Sequence, residues 1–415
     1  MSMQELSLGK ICDQGGGIVR TGPFGSQLHE SDYSDSGTPV VMPKDIIEGK
    51  VSEKSIARVG QEHVDRLIQH RLLPGDIVYG RRGDIGRQAL IRDRESGWLC
   101  GTGCLRITLG KGQVDPKWLH YYLRDQGVIA FIAQQAIGAT MPNLNTSILR
   151  NIPIRFPERS TQRRIASILS AYDDLIENNT RRIAILEEMA RRIYEEWFVR
   201  FRFPGHEQVK MVESELGMIP EGWTVHPLQN IATVTMGLSP KGESYNTNGD
   251  GIPLINGPVV FGDRFTMCVK WTTAPTKLCS AGDFIICVRG STTGKYVKSD
   301  GVYCLGRGVC AIKSTWQCFV DQMFMHQLPI LLAQTGGSTF PSWNGPQLKL
   351  HPVLLPSIDL LSRFESLVQP MNATVLNYSR KNANLRATRD LLLPKLISGE
   401  LDVSSLPEPE EVITA

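Results

Sequence analysis

Two distant parts of this 415-residue chain are written alike, and that duplication constrains the fold more than any local pattern. "LLPGDIVYGRRGDIGR" at 72–87 returns as "SAGDFIICVRGSTTGK" at 280–295; Gly75-Asp76 matches Gly282-Asp283 and Arg82-Gly83 matches Arg289-Gly290, an offset of 207. Further on, "GATMPNLNTSILRNIP" at 138–153 aligns with "GSTFPSWNGPQLKLHP" at 337–352. Gly138, Thr140, Pro142, Asn145, Leu149 and Pro153 fall on Gly337, Thr339, Pro341, Asn344, Leu348 and Pro352, an offset of 199. Two offsets that differ by a few residues mean one large unit used twice; a solenoid would repeat every ~20–50 residues. A chain of this length has room for two to three domains, each with its own core.

Each repeat ends in a long periodic stretch. From Ile165, alternate steps of four and three give Ile165, Leu169, Tyr172, Ile176, Asn179, Ile183, Leu186, Ala190, Ile193 and Trp197, of which only Asn179 is polar. A shift of 199 gives Phe364, Val368, Met371, Val375, Tyr378, Asn382, Leu385, Arg389, Leu392 and Leu396, broken by Asn382 and Arg389. A four–three alternation sustained this long predicts a coiled-coil seam, and a lone Asn in such a seam lowers stability but fixes register. Two such helices in one chain pair most simply with each other. The charges around them, Arg181-Arg182, Glu187-Glu188 and Arg191-Arg192, read as a solvated face. Pro370 predicts a kink near the start of the second helix, because proline removes a helical hydrogen bond.

Upstream of each helix the pattern changes to short apolar runs between turn residues. "PVVMPKDI", "GDIVYG" and "CLRITL" in the first half, and "IPLINGPVV", "DFIICV" and "VCAI" in the second, predict strands. The fold class is therefore α+β: two β-rich domains, each followed by a long helix, the helices pairing as an antiparallel coiled coil about an internal pseudo-two-fold. The expected boundaries are a first domain at 1–157, a helix at 158–202, a linker at 203–220, a second domain at 221–356, a helix at 357–400 and a tail at 401–415.

The repeated glycine turn is not a nucleotide site. Only three residues separate Gly290 from Gly294, and Tyr296 follows Lys295; a phosphate-cradling loop needs four residues there and a Ser or Thr for magnesium. The chain has no Asp-Pro-Pro-Tyr or Asn-Pro-Pro-Tyr block of the kind amino-methyltransferases use, and no His-Glu-x-x-His. His29, His63, His70, His120 and His206 form no ligand pattern, and Cys100 and Cys104 lack partners at zinc spacing. Asp76 and Asp283 each follow a glycine before a strand, where turn formation accounts for them. No metal is expected, and no catalytic residue.

The order of elements, "GPFGSQLHESDY" at 22–33, the "FPGHE…SELGMIPEGW" stretch within 203–223 and the ending "LLLPKLISGEL" at 391–401 resemble the specificity subunit of type I restriction–modification systems over essentially the whole chain. The resemblance implies two target-recognition domains, each reading half of a split, asymmetric site in double-stranded DNA. It implies that the paired helices separate the domains and hold two DNA adenine methyltransferase (modification) subunits, with restriction/translocase subunits joining that core. S-adenosylmethionine, ATP and Mg2+ would then be bound by those partners, and this chain would do no chemistry. Base-reading residues do not carry over, because the recognition regions of the family are only loosely alike.

The net charge of +3 is small for a DNA-binding chain, so any basic footprint must be local. The candidates are Arg81, Arg82 and Arg87 in the first turn, and Arg289, Lys295 and Arg307 around the second. They would contact phosphates or fork onto guanine edges, against a plain reading as surface charge. The N-terminus lacks a signal-peptide pattern and no run is long enough to span a bilayer, so the expectation is a cytoplasmic protein with reduced thiols. Two alternatives stay open: a DNA-reading subunit of a modification-only system, and a coiled-coil scaffold that binds no nucleic acid. A fragment ending near Gly205 should keep one complete unit, and two copies could pair through their helices.

Overall fold

The computed structural model describes residues 2–81, 83, 85–135, 143–215, 217–333 and 342–407. Of the residues singled out above, Arg82, Gly138, Thr140, Pro142, Gly337, Thr339 and Pro341 lie outside them. The chain forms two compact units, one of residues 1–177 with 382–415 and one of residues 178–381. It therefore passes from one unit to the other only at 177–178 and 381–382, and both passages fall inside long helices, Arg159–Tyr194 and Ile358–Ser398. No helix among the described residues is long and apolar enough to cross a membrane.

The duplication is present strand by strand. In the first unit, Gly16–Thr21, Cys104–Gly110, Ile77–Gly80 and Gln88–Leu90 form an antiparallel sheet in that spatial order. In the second, Ala232–Met236, Val309–Ser314, Phe284–Cys287 and Tyr296–Lys298 repeat the order. Each unit has a second sheet of shorter strands with one parallel pair, four-stranded in the first unit, where Val40 lies opposite Leu99, and five-stranded in the second, where Leu254 lies opposite Cys304. All six strands expected from the apolar runs are there. Inward-facing residues of the main sheet, such as Ile77, Tyr79, Leu105 and Ile107, are fully buried in the first core, as Phe284, Ile286, Cys310 and Ile312 are in the second.

The repeated sequence motifs have matching local roles. Asn145 and Asn344 cap short helices, accepting from the amides of Ile148 and Gln347 at 2.9 Å each. An N-cap oxygen satisfies an amide that the helix itself leaves without a partner. Leu149 and Leu348 are buried one turn later. Asp76 accepts from the amide of Leu73 at 2.9 Å and Asp283 from that of Ser280 at 2.8 Å, closing the same turn twice. Both carboxyls are pushed up in pKa by burial, as befits acceptors in a packed turn.

Every residue of the expected seam is buried or half-buried. In the first unit, Asp173 pairs with Arg389, and Asn382 donates to the carbonyl of Ile176 at 3.4 Å. In the second, Arg182 donates to Tyr378 Oη at 2.9 Å and the Tyr194 and Phe364 rings lie 6.3 Å apart. In each unit the partner's number falls as the residue's rises, so the helices run antiparallel. The second helix continues through Pro370, where the sequence predicts a kink. The first ends in a π-helical turn, Glu195–Val199, beside which Tyr194 and Phe198 are buried while the expected seam residues Ile193 and Trp197 are half-buried.

The stretch 203–220, expected as a linker, belongs to the second unit and carries a hairpin, Met211–Ser214 with Gly217–Pro220. Phe203 and Trp223 stack at 5.4 Å and are buried beside Ile219. Eight of the nine cysteines are buried; Cys268 is exposed.

Candidate nucleic-acid interface

In each unit the main sheet ends in a corner where several turns meet. In the first, the amide of Arg81 donates to Gly103 O at 2.8 Å, and that of Gly22 to Cys104 O at 2.9 Å, so the turns after residues 21, 80 and 100 abut. In the second, Val288 N donates to Gly308 O at 2.9 Å, Leu238 N to Leu305 O at 2.9 Å and Arg307 N to Ser239 Oγ at 3.2 Å. The approach is close enough to require glycine: a Cβ on Gly22 would lie 2.0 Å from Gly101 O, and one on Gly237 would lie 2.1 Å from Gly306 O.

The repeated glycine turn is a hairpin braced from behind. Gly80 N donates to Arg87 O at 2.8 Å, and Cys287 N to Lys295 O at 2.8 Å, which makes Arg87 and Lys295 equivalent closing residues. Gly86 and Gly294 have φ of 105° and 90°. A Cβ on them would meet Ile129 at 3.1 Å and Leu332 at 3.0 Å, both in the helix that follows the sheet. These glycines pack against a helix, and the turn is no phosphate cradle.

The sequence candidates divide accordingly. Arg289, Lys295 and Arg307 are exposed, and the 288–308 hydrogen bond brings the turns of Arg289 and Arg307 together. Arg87 is exposed at the matching corner of the first unit. Arg81 has a structural duty: its Nε donates to Asn143 Oδ1 at 3.1 Å and Leu144 O at 2.9 Å, anchoring the segment that leads into the Asn145 cap. No group of His, Cys, Asp and Glu that could hold a metal ion occurs among the described residues.

One cluster escaped the sequence reading. Arg20 and Arg106 stand directly opposite each other on antiparallel strands, a like-charge placement that is normally destabilising. Their guanidinium groups reach over residues 69–71: Arg20 donates to Gln69 O at 3.3 Å and Arg106 to Arg71 O. His70, between those carbonyls, is buried, and its Nε2 has no hydrogen-bond partner among the described residues. Burial first, then the charges of Arg20 and Arg106, lower its pKa below the ordinary imidazole value. Arg71 is exposed at the rim. The equivalent strand partners in the second unit, Thr235 and Ala311, are uncharged. Only the strand register brings Arg20 to Arg106, which is why spacing along the chain gave no signal.

Comparison with known proteins agrees with this architecture. Residues 25–188 match the family model for the type I restriction modification DNA specificity domain. The type I restriction enzyme MjaIX specificity subunit of Methanocaldococcus jannaschii is 26% identical, over 90% of this chain and 89% of that protein. The HindI specificity subunit of Haemophilus influenzae is 21% identical, over 79% of this chain and 86% of that one. Among solved structures, the S subunit of the type I restriction-modification system from M. genitalium superposes with a TM-score of 0.62 at 16% identity, covering 95% of this chain and 96% of that chain. The matched segment lies mostly in the first unit, the second repeats its strand order, and the related sequences run nearly end to end: the chain is similar over most of its length to type I restriction–modification specificity subunits.

Proposed function

We propose that each unit reads one half of a split, asymmetric DNA site, and that the paired helices set the distance between the halves and hold two adenine methyltransferase subunits, with restriction–translocase subunits joining that core in the cytoplasm. One observation carries this reading: the corner of converging turns, with Arg87 and Lys295 at equivalent closing positions, is built twice from the same strand order. A reader of one uninterrupted site needs only one such corner.

The test is to assemble the chain with its methyltransferase subunits, methylate a randomised DNA library and sequence the products. The expected products carry two fixed blocks separated by a constant length of indifferent sequence. Substituting Arg289 and Arg307 should change letters in one block only. A single contiguous block would overturn the proposal. The purified chain with S-adenosylmethionine alone should transfer no methyl group, since methyl transfer would be the work of the partner subunits.

The arginine cluster of the first unit would act on the DNA backbone. In the assembled complex, Arg20→Gln with Arg71→Gln should reduce the slope of log affinity against log salt by about two, at ~0.9 for each phosphate no longer neutralised, with the recognised letters unchanged. A slope equal to that of the unaltered complex would leave these arginines as braces for residues 69–71 only.

A further inference from the structure

The two long helices are related by the 199-residue offset, yet the surfaces they offer each other are chemically unlike. In the first unit, Arg389 of the second helix pairs with Asp173, which also accepts from Arg124 at 3.0 Å and Tyr121 Oη at 2.8 Å. Below it, Leu393, Leu396 and Ile397 share a core with Trp118, Ile165, Ala166 and Leu169. In the second unit the same places on the first helix hold Ala190, Tyr194, Trp197 and Phe198. Phe198 lies 4.9 Å from Phe319 and 5.0 Å from Phe364, and Tyr194 lies 5.9 Å from Phe319. The position equivalent to Asp173 is Asn372, which hydrogen-bonds Cys318 Sγ at 3.4 Å.

We infer that the two halves of this chain are coded for each other and against themselves: the partner that fits the helix of either half is the other half, not a second copy. In a pair of first halves, Ala190 would stand where Arg389 does, and Asp173 would lose one of its two guanidinium partners while still buried. Tyr194, Trp197 and Phe198 would also have to enter space shaped by two leucines and an isoleucine, which a close-packed core resists. In a pair of second halves, Arg389, only 7% exposed, would face Asn372 with no carboxylate, and three aliphatic side chains would leave voids among Phe319 and Phe364. Both self-pairs fail twice, once in charge and once in volume, whereas the natural pair satisfies both. This is discrimination by penalties on the wrong partner. It reverses the expectation, drawn from the repeat alone, that two copies of the first half would pair.

The test keeps the full chain until it has folded. A protease recognition sequence is placed in the hairpin turn between Ser214 and Gly217, which lies within one unit, and the folded protein is cleaved. Isotope-labelled and unlabelled batches are mixed, and urea is raised stepwise until labelled first halves appear with unlabelled second halves. Native mass spectrometry then counts the pairs. The expected result is that same-half pairs stay below about one in a hundred of all pairs. Same-half pairs at the share random association gives would overturn the inference. A cleaved chain carrying Asp173→Asn with Arg389→Ala, which removes the charge code and keeps the volume code, should raise the same-half share at least tenfold; no rise would mean that charge plays no part.

Discussion

Replacing Asp173 with alanine is expected to destabilise the first unit by about 3 kcal/mol, because it strands a buried guanidinium. Asp173 is 7% exposed and receives Arg389, Arg124 and Tyr121 at once. Once the carboxylate is gone, Arg389 keeps only Asp390, at 2.8 Å on the solvent side, which places the loss at the low end of the range for a broken buried pair. The measurement is hydrogen exchange in the helix Pro116–Tyr122, which carries Tyr121. Protection falling by less than a factor of five would show that the network is relaxed by water. Acid should erase the difference between the two proteins. Burial raises the Asp173 pKa, but Arg124 and then Arg389 more than offset this and leave it below its ordinary value. A carboxylate lowered in the folded state contributes stability above its unfolded pKa of about 3.9 and loses it as pH falls through the folded value. Glu177, one turn on, behaves alike: burial opposes, but Lys50 and Arg92 hold it at about 2, so its contribution fades as the pH falls from about 4.5 to 2.

Inserting one heptad into each long helix, near Asn179 and Asn382, is expected to lengthen the DNA spacer by about three base pairs and leave both flanking blocks unchanged. Seven residues add about 10 Å of helix and keep the four–three phase, and at ~3.4 Å per base pair that is three pairs. The two sites are the right ones because the chain passes between its units at 177–178 and 381–382, next to these asparagines. Three added pairs also turn one half-site by about a third of a helical turn, so binding should weaken unless DNA twist absorbs it. Methylation of a library with randomised spacers reads the result directly. Retention of the original spacing would show that something other than the helices sets the distance.

Much of this was legible in the sequence alone. The seam was visible because burial against a partner helix imposes a period that polar substitution interrupts only at Asn179, Asn382 and Arg389. The glycine hairpins were visible because Gly83, Gly86, Gly290 and Gly294 take positive φ, which other residues adopt at a cost. What remained hidden depends on what a partner presents. Arg389 stood out as a break in the seam, but its acid, Asp173, lies off the four–three pattern, and periodicity names a face without naming what it meets. Arg20 and Arg106 needed the strand register. The 203–220 stretch was misread for a related reason: its prolines and glycines announce turns, but they do not say that Phe203 and Ile219 are buried.

The offset between equivalent strands is not constant, and its drift bears on how such a chain can change over generations. Between the strands starting at Gln4 and Thr224 it is 220; between those starting at Ile77 and Phe284 it is 207; between those starting at Pro153 and Pro352 it is 199. Length has thus been gained or lost freely among the sheets and turns, while from the Asn145 and Asn344 caps onward through the paired helices the count is unaltered. Antiparallel pairing explains the difference. A residue added to one helix throws every later contact out of step unless its partner acquires the same residue, so a single insertion there is expected to be costly. A turn at a sheet corner answers to no such partner. New recognition can therefore be acquired one inherited insertion at a time, on a frame whose own length can change only in matched pairs.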